Sequence, residues 1–159
     1  MAASSIPPGP VEVFFSYAHE DEPLLKDLLK HLGMLKRQGV IRSWSDRDIT
    51  AGTEWKGQID QHLDTAAVIL LLVSTDFVAS DYCYDIEMMR ALERHDKREA
   101  RVIPVILRPL DNWYAAPFGK LQAAPTNGKP VTRWADRDEA FADVAGYIRR
   151  AVGELRNPQ

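Results

Sequence analysis

Apolar residues fall along this chain in two rhythms, one continuous and one helical. The longest unbroken run is residues 66–73, AAVILLLV, eight apolar positions with no polar alternation. Such a run belongs to a strand covered on both faces, hence to the interior of a parallel sheet. It is too short to span a bilayer. Residues 11–16, VEVFFS, rich in β-branched and aromatic side chains, predict a first strand. Short apolar segments at 40–44, 101–107 and 131–134 predict three more, with Pro104 expected at a bulge or near a strand start.

Between the strands the period changes to that of a helix. Leu24, Leu25, Leu28, Leu32 and Leu35 recur at helical spacing after Asp21 or Glu22 as a cap and Pro23 in the first turn, up to a stop at Gly39. Trp55, Ile59, Leu63 and Ala66 form a second stripe, which makes Trp55 a core side chain. Ser74, Thr75 and Asp76 break the central run, and Ser80 or Asp81 then caps a helix from Tyr82 to about Lys97. A last helix opens at Asp136 or Asp138 and lines up Phe141, Val144, Ile148, Val152 and Leu155. Residues 108–130, broken by prolines and Asn127-Gly128, predict a long loop with one helical turn near 118–122. Five strands alternating with helices predict a doubly wound parallel α/β sheet, whose ligand crevice lies outside the carboxyl ends of the strands.

Composition narrows the function classes. A chain of 159 residues with 45% apolar content suits one domain with a full core. The net charge of −3 provides no basic stripe for nucleic acid. Cys83, the single cysteine, allows no internal disulfide and suits a reducing compartment. The start, MAASSIPPGP, has neither the basic nor the apolar part of a signal peptide. The expectation is a cytoplasmic protein without a membrane anchor: a disordered leader at 1–10, one domain at 11–155 and a tail at 156–159.

Neither G-x-G-x-x-G nor G-x-x-x-x-G-K-[ST] occurs, which disfavours a resident dinucleotide cofactor or an ATPase. His19, His31, His62, His95 and Cys83 show no metal-ligand spacing, so no metal site is expected. In the helix after the central strand, Tyr84, Met88, Ala91, Leu92 and His95 form one stripe. At α-helical pitch this leaves Asp85 and Glu87 on opposite flanks, roughly 160° apart. They cannot act as a carboxylate pair, and on these features alone Glu87 reads as a solvated side chain near the positive end of a helix. Cys83 lacks a neighbouring base and reads as a small buried side chain rather than a nucleophile.

Four segments in order carry a resemblance: VFFSYAHED at 13–21, WSDRDITAGTEW at 44–55, AAVILLLVSTDFVASDYCYDIEM at 66–88 and RVIPVILRP at 101–109. Together they resemble a TIR (Toll/interleukin-1 receptor) domain of the bacterial NAD⁺-hydrolysing type, over residues 11–155. The resemblance implies a flavodoxin-like five-stranded parallel sheet and cleavage of NAD⁺ at the nicotinamide–ribose bond, with NAD⁺ as substrate rather than cofactor. It implies that Glu87 is the catalytic carboxylate. It implies that Ser16, Tyr17, His19, Trp44, Asp46, Arg47, Tyr82 and Cys83 contact substrate, although Trp44 read by itself is equally a core side chain. The family's tryptophan–cysteine pair, two residues before the glutamate, appears here as Tyr82-Cys83 with three residues before Glu87. Residues 45–53, the family's BB loop, carry Asp48, Ile49 and Gly52 and imply self-association between TIR domains, often with a fused sensor domain. The alternatives are a non-enzymatic TIR scaffold acting by assembly and a nucleoside-processing enzyme on the related deoxyribosyltransferase-like fold.

Overall fold

A computed structural model describes residues 9–44 and 61–156. Strand β1 (Val11–Ser16) leads through a 3₁₀ turn (His19–Asp21) to helices α1 (Glu22–His31) and α2 (Gly33–Arg37) and strand β2 (Ile41–Trp44). Residues 61–65 are helical and enter β3 (Val68–Val73). A short α3 (Thr75–Ala79) follows, then a π-helical turn (Tyr82–Met88) that runs on as α4 (Met89–Asp96). The chain ends its described part with β4 (Arg101–Ile106), four 3₁₀ turns and α5 (Arg137–Arg156).

The sheet is parallel in the order β2-β1-β3-β4. As the unbroken apolar run requires, β3 is interior and every one of its side chains is buried. Alternation along each strand divides the core into two layers. Val11, Val13 and Phe15 face Leu25 and Leu28 of α1 and Phe141, Val144 and Ile148 of α5. Phe14, Ile69 and Leu71 face the other way, toward Met88, Ala91 and Leu92. Each such buried aliphatic or aromatic side chain contributes about 1.5–3 kcal/mol. The parallel α/β class expected from the alternation, and implied in its flavodoxin-like form by the resemblance, is the one observed.

Four details differ from the sequence expectation. The first helix breaks at Leu32, whose ψ of 2° lies outside the helical range, so the leucine stripe is carried by two helices. Where Ser74 to Asp76 were expected only to end the strand, Ser74 caps α3 by accepting from the amide of Phe77 at 3.1 Å. Pro104 lies in the middle of β4, opposite Leu71, and is tolerated because β4 is the outer strand.

The fourth correction concerns the expected fifth strand at 131–134. Val131–Arg133 is a 3₁₀ turn whose Thr132 amide bonds the carbonyl of Leu107, and the sheet has four strands among the described residues. Ala124 alone sits beside β4, donating to Pro104 O and accepting from Ile106 N, both at 2.8 Å. The ladder cannot lengthen because Pro125 follows and the Thr126 amide is taken at 2.6 Å by Asp143 of α5. The outward amides of β4 are thereby accounted for: Val102 N donates to His95 Nδ1, Pro104 has no donor, and Ile106 N is held by Ala124.

Two buried ionic groups secure the other end of the sheet. Arg94, 5% exposed, donates to the carbonyls of Leu63, Ala66 and Glu99 and so caps the helical residues 61–65. Glu12 is held by His62 Nδ1 at 2.5 Å and by Thr65 Oγ1 at 2.6 Å. His62 is thus in contact with a carboxylate at the amino end of β1, remote from the crevice.

Candidate functional site at the carboxyl ends of the strands

The π-helical turn decides what the crevice contains. Hydrogen bonds from i to i+5 put about one more residue into each turn than an α-helix holds. Over Tyr82–Met88 this turns Cys83, Glu87 and Met88 inward and leaves Asp85 and Ile86 outside. Glu87 is only 5% exposed, which corrects the expectation of a solvated flank. That expectation used the α-helical angle per residue, which does not hold here. The third residue between Cys83 and Glu87 is absorbed by the wider turn, and both side chains still face the sheet.

Glu87 meets the end of β1. The hydroxyl of Ser16, the last residue of that strand and fully buried, donates to Glu87 Oε1 at 2.7 Å. One residue on, the carbonyl of Tyr17 accepts from Cys83 Sγ at 3.3 Å. Ser80 caps the π turn, its Oγ accepting from the amide of Cys83 at 3.1 Å. Three contacts therefore fix where the carboxylate stands relative to the strand ends. Burial among apolar side chains lowers the local dielectric, so a carboxylate here acts strongly on any cationic centre brought beside it.

Past the carboxyl ends of the same strands is a cluster that sequence reasoning missed. Asp21, 2% exposed, ends the 3₁₀ turn after β1 and accepts from Ser74 Oγ and from Arg108, whose Nη2 is 2.9 Å from Asp21 Oδ1. Arg108 also pairs with Asp76. Of the two expected caps, Asp21 or Glu22, it is Asp21 that stands at the N-cap position of α1, but its carboxylate makes no cap bond because Ser74 and Arg108 occupy it. Burial pushes the Asp21 carboxyl above the usual carboxylate range, although Ser74 and Arg108 pull it down. The bond to Asp76 raises the Arg108 guanidinium further above its ordinary value. The available signal was a polar or charged residue just past the end of three separate strands.

The other expected site residues are distributed as follows. Tyr17 is buried in the first core layer, with the His19 ring edge-on at 6.2 Å. His19 is exposed at the start of the 3₁₀ turn, and Tyr82 is half-buried against the second layer. Trp44 ends β2 with its backbone opposite Phe14. Asp46, Arg47, Asp48, Ile49 and Gly52 lie outside the described residues. Among the described residues, no group of three or more His, Cys, Asp or Glu side chains could hold a metal ion, and no helix is long and apolar enough to cross a membrane.

A parallel α/β sheet of the flavodoxin-like class, with a buried carboxylate at its strand ends, is the type of protein these features define. The family model for the TIR domain matches residues 13–144, and the chain belongs to that family. It is 60% identical over 143 residues to an uncharacterised protein, y4lF, of Sinorhizobium fredii, covering 90% of this chain and 44% of that protein. The chain thus spans less than half the length of this relative. Among solved structures it is similar to the TIR domain of the Toll-related receptor TRR-2 of Hydra magnipapillata. The TM-score there is 0.62 at 21% identity, covering 87% of this chain and 96% of that one. It is also similar to the TIR domains of the activated Roq1 resistosome, which directly recognises the pathogen effector XopQ. That TM-score is 0.54 at 21% identity, covering 94% of this chain and 85% of that one.

Proposed function

We propose that this TIR domain is an NAD⁺ glycohydrolase that cleaves the N-glycosidic bond between nicotinamide and ribose. The observation that supports it is the Glu87 carboxylate, buried at the carboxyl end of β1 and oriented by Ser16 at 2.7 Å. As the C–N bond breaks, its electron pair leaves with neutral nicotinamide and positive charge develops on the ribose. An oriented carboxylate stabilises that oxocarbenium-like state more than the ground state, which is the condition for catalysis. Water then adds to the anomeric carbon and releases a proton, giving ADP-ribose. The biological role in this reading is that of a cytoplasmic effector of bacterial antiphage or stress defence, joined to a sensor region and activated by self-association. The test is release of nicotinamide from NAD⁺ by the purified chain, lost in Glu87→Gln.

A second reading, a TIR module that works by assembly without catalysis, is favoured by one observation. Ile86 and Met89, 47% and 50% exposed, stand together on the outer face of the helix that carries Glu87. If nicotinamide release is absent at every protein concentration while the chain self-associates, this reading replaces the first. If specific activity rises with concentration, the two belong to one mechanism.

A further inference from the structure

The strand ends around Glu87 are tied together by a group of four side chains that are not expected to touch substrate. Asp21 receives the Ser74 hydroxyl and the Arg108 guanidinium, and Arg108 reaches on to Asp76. Asp21 follows β1, Ser74 follows β3 directly, and Arg108 lies two residues beyond β4. The turn between Ser16 and Asp21 is therefore pinned at both ends. At its start stand Ser16 on Glu87 and the Tyr17 carbonyl on Cys83. At its far end stands the Asp21 carboxylate.

We propose that Asp21 and Arg108 are positioning residues of this site: their ion pair fixes the 17–21 turn across the ends of β3 and β4, and through it the Ser16–Glu87 hydrogen bond. The inference rests on Glu87 being the reacting carboxylate, and it adds which groups keep that carboxylate in register. Stability alone does not account for the cluster. Buried ion pairs commonly recover little more than their desolvation cost, and burial is the largest influence on Asp21, raising its pKa despite two bonded donors. Arg108 makes both contacts through Nη2, so that one terminal nitrogen bridges the carboxylate ending the 3₁₀ turn and the Asp76 carboxylate on α3. Ser74 adds a third tie, since the same hydroxyl that donates to Asp21 accepts from Phe77 N and so anchors α3, the element leading into the π turn.

The chain carries its own reporter of this order. Cys83 is the single cysteine, buried, with its thiol on the Tyr17 carbonyl inside the pinned segment. Alkylation of the folded, purified chain by iodoacetamide therefore measures how often the 17–21 turn lifts away. Asp21→Asn removes the charge without changing shape, Arg108→Leu removes the bridging cation, and Arg108→Lys keeps a single charged nitrogen on a shorter side chain. Asp21→Asn keeps the proposal testable should Arg108→Leu fail to fold.

In Asp21→Asn and Arg108→Leu the labelling rate under native conditions, well below each variant's unfolding transition, is expected to rise roughly tenfold, more than the lowered unfolding midpoint accounts for. The kcat for nicotinamide release should fall by about 10²-fold, with a smaller change in KM. Arg108→Lys should recover part of both. Asp138→Asn, which removes only an exposed charge beside His31, is the control and should change neither. Labelling and kcat at parent values in folded Asp21→Asn would overturn the positioning role. A parent chain that releases no nicotinamide sinks the proposed activity instead; labelling then decides alone, acceleration upholding the role of the pair and parity ending it.

Discussion

His95 Nδ1 accepts the amide hydrogen of Val102 at 3.1 Å, so a titratable side chain occupies a backbone position on the edge strand β4. Only an unprotonated Nδ1 can accept, and burial lowers the pKa of this imidazole below 6.5, assisted by Arg101 and Lys120 and opposed by Asp96. A histidine whose folded-state pKa is depressed contributes stability that is present above the unfolded value. That contribution is lost as pH falls through the folded value. The unfolding midpoint should therefore drop as pH falls below about 6.5, the ordinary histidine value, and drop less in His95→Gln, which has no proton to gain. His95→Leu leaves the Val102 amide without its acceptor and should cost about 1–3 kcal/mol at neutral pH. Equal pH slopes in the parent and His95→Gln would remove His95 as the cause.

Glu87→Gln should keep the fold, because a glutamine carbonyl still accepts from Ser16, yet reduce NAD⁺ cleavage by at least about 10²-fold. Ser16→Ala should lower activity less and destabilise more, leaving a buried carboxylate without one of its donors at a cost of about 1–3 kcal/mol. Asp85→Asn, on the exposed side of the π turn, should leave most activity. Nicotinamide release assayed beside thermal melts separates these outcomes, and an active Glu87→Gln with an inactive Asp85→Asn would reverse the assignment.

Arg94 offers a test of the fold independent of chemistry. Arg94→Met removes donors from three carbonyls and should destabilise the chain by roughly 3 kcal/mol, read from urea unfolding. Arg94→Lys should recover only part, because an ammonium lacks the planar geometry that spans the three acceptors. A melt indistinguishable from the parent would show that the cap contributes nothing.

Chelation provides a further check on how the bond is broken. Exhaustive EDTA treatment should leave nicotinamide release unchanged, since the proposed step uses a carboxylate to stabilise charge and places no work on a bound cation. Loss of activity on chelation, restored by one added divalent cation, would refute that step.

Much of the fold was legible because burial leaves a direct mark on composition. Residues 66–73 had to be an interior strand, and the stripes at Leu25 and Leu28 and at Phe141, Val144 and Ile148 had to pack on a sheet. Glu87 was located by resemblance but its burial was not, because a π turn has no simple residue code and changes which residues share a face. Asp21 looks like an N-cap in sequence, and only the approach of Ser74 and Arg108 in space shows its carboxylate is already committed. Residues 131–134 have the β-branched look of a strand, whereas the position beside β4 belongs to Ala124, a residue with no strand signal.

The closed flank of β4 has a bearing on crowding. A TIR domain drawn into assemblies is held at high local concentration, where an open ladder of backbone donors would invite strand-to-strand fusion and aggregation. With His95, Pro104 and Ala124 answering the outward amides of β4, a second chain meeting that flank finds no row of free backbone donors to pair with. A flank of this kind keeps copies of the chain separate as folded domains even where they are crowded.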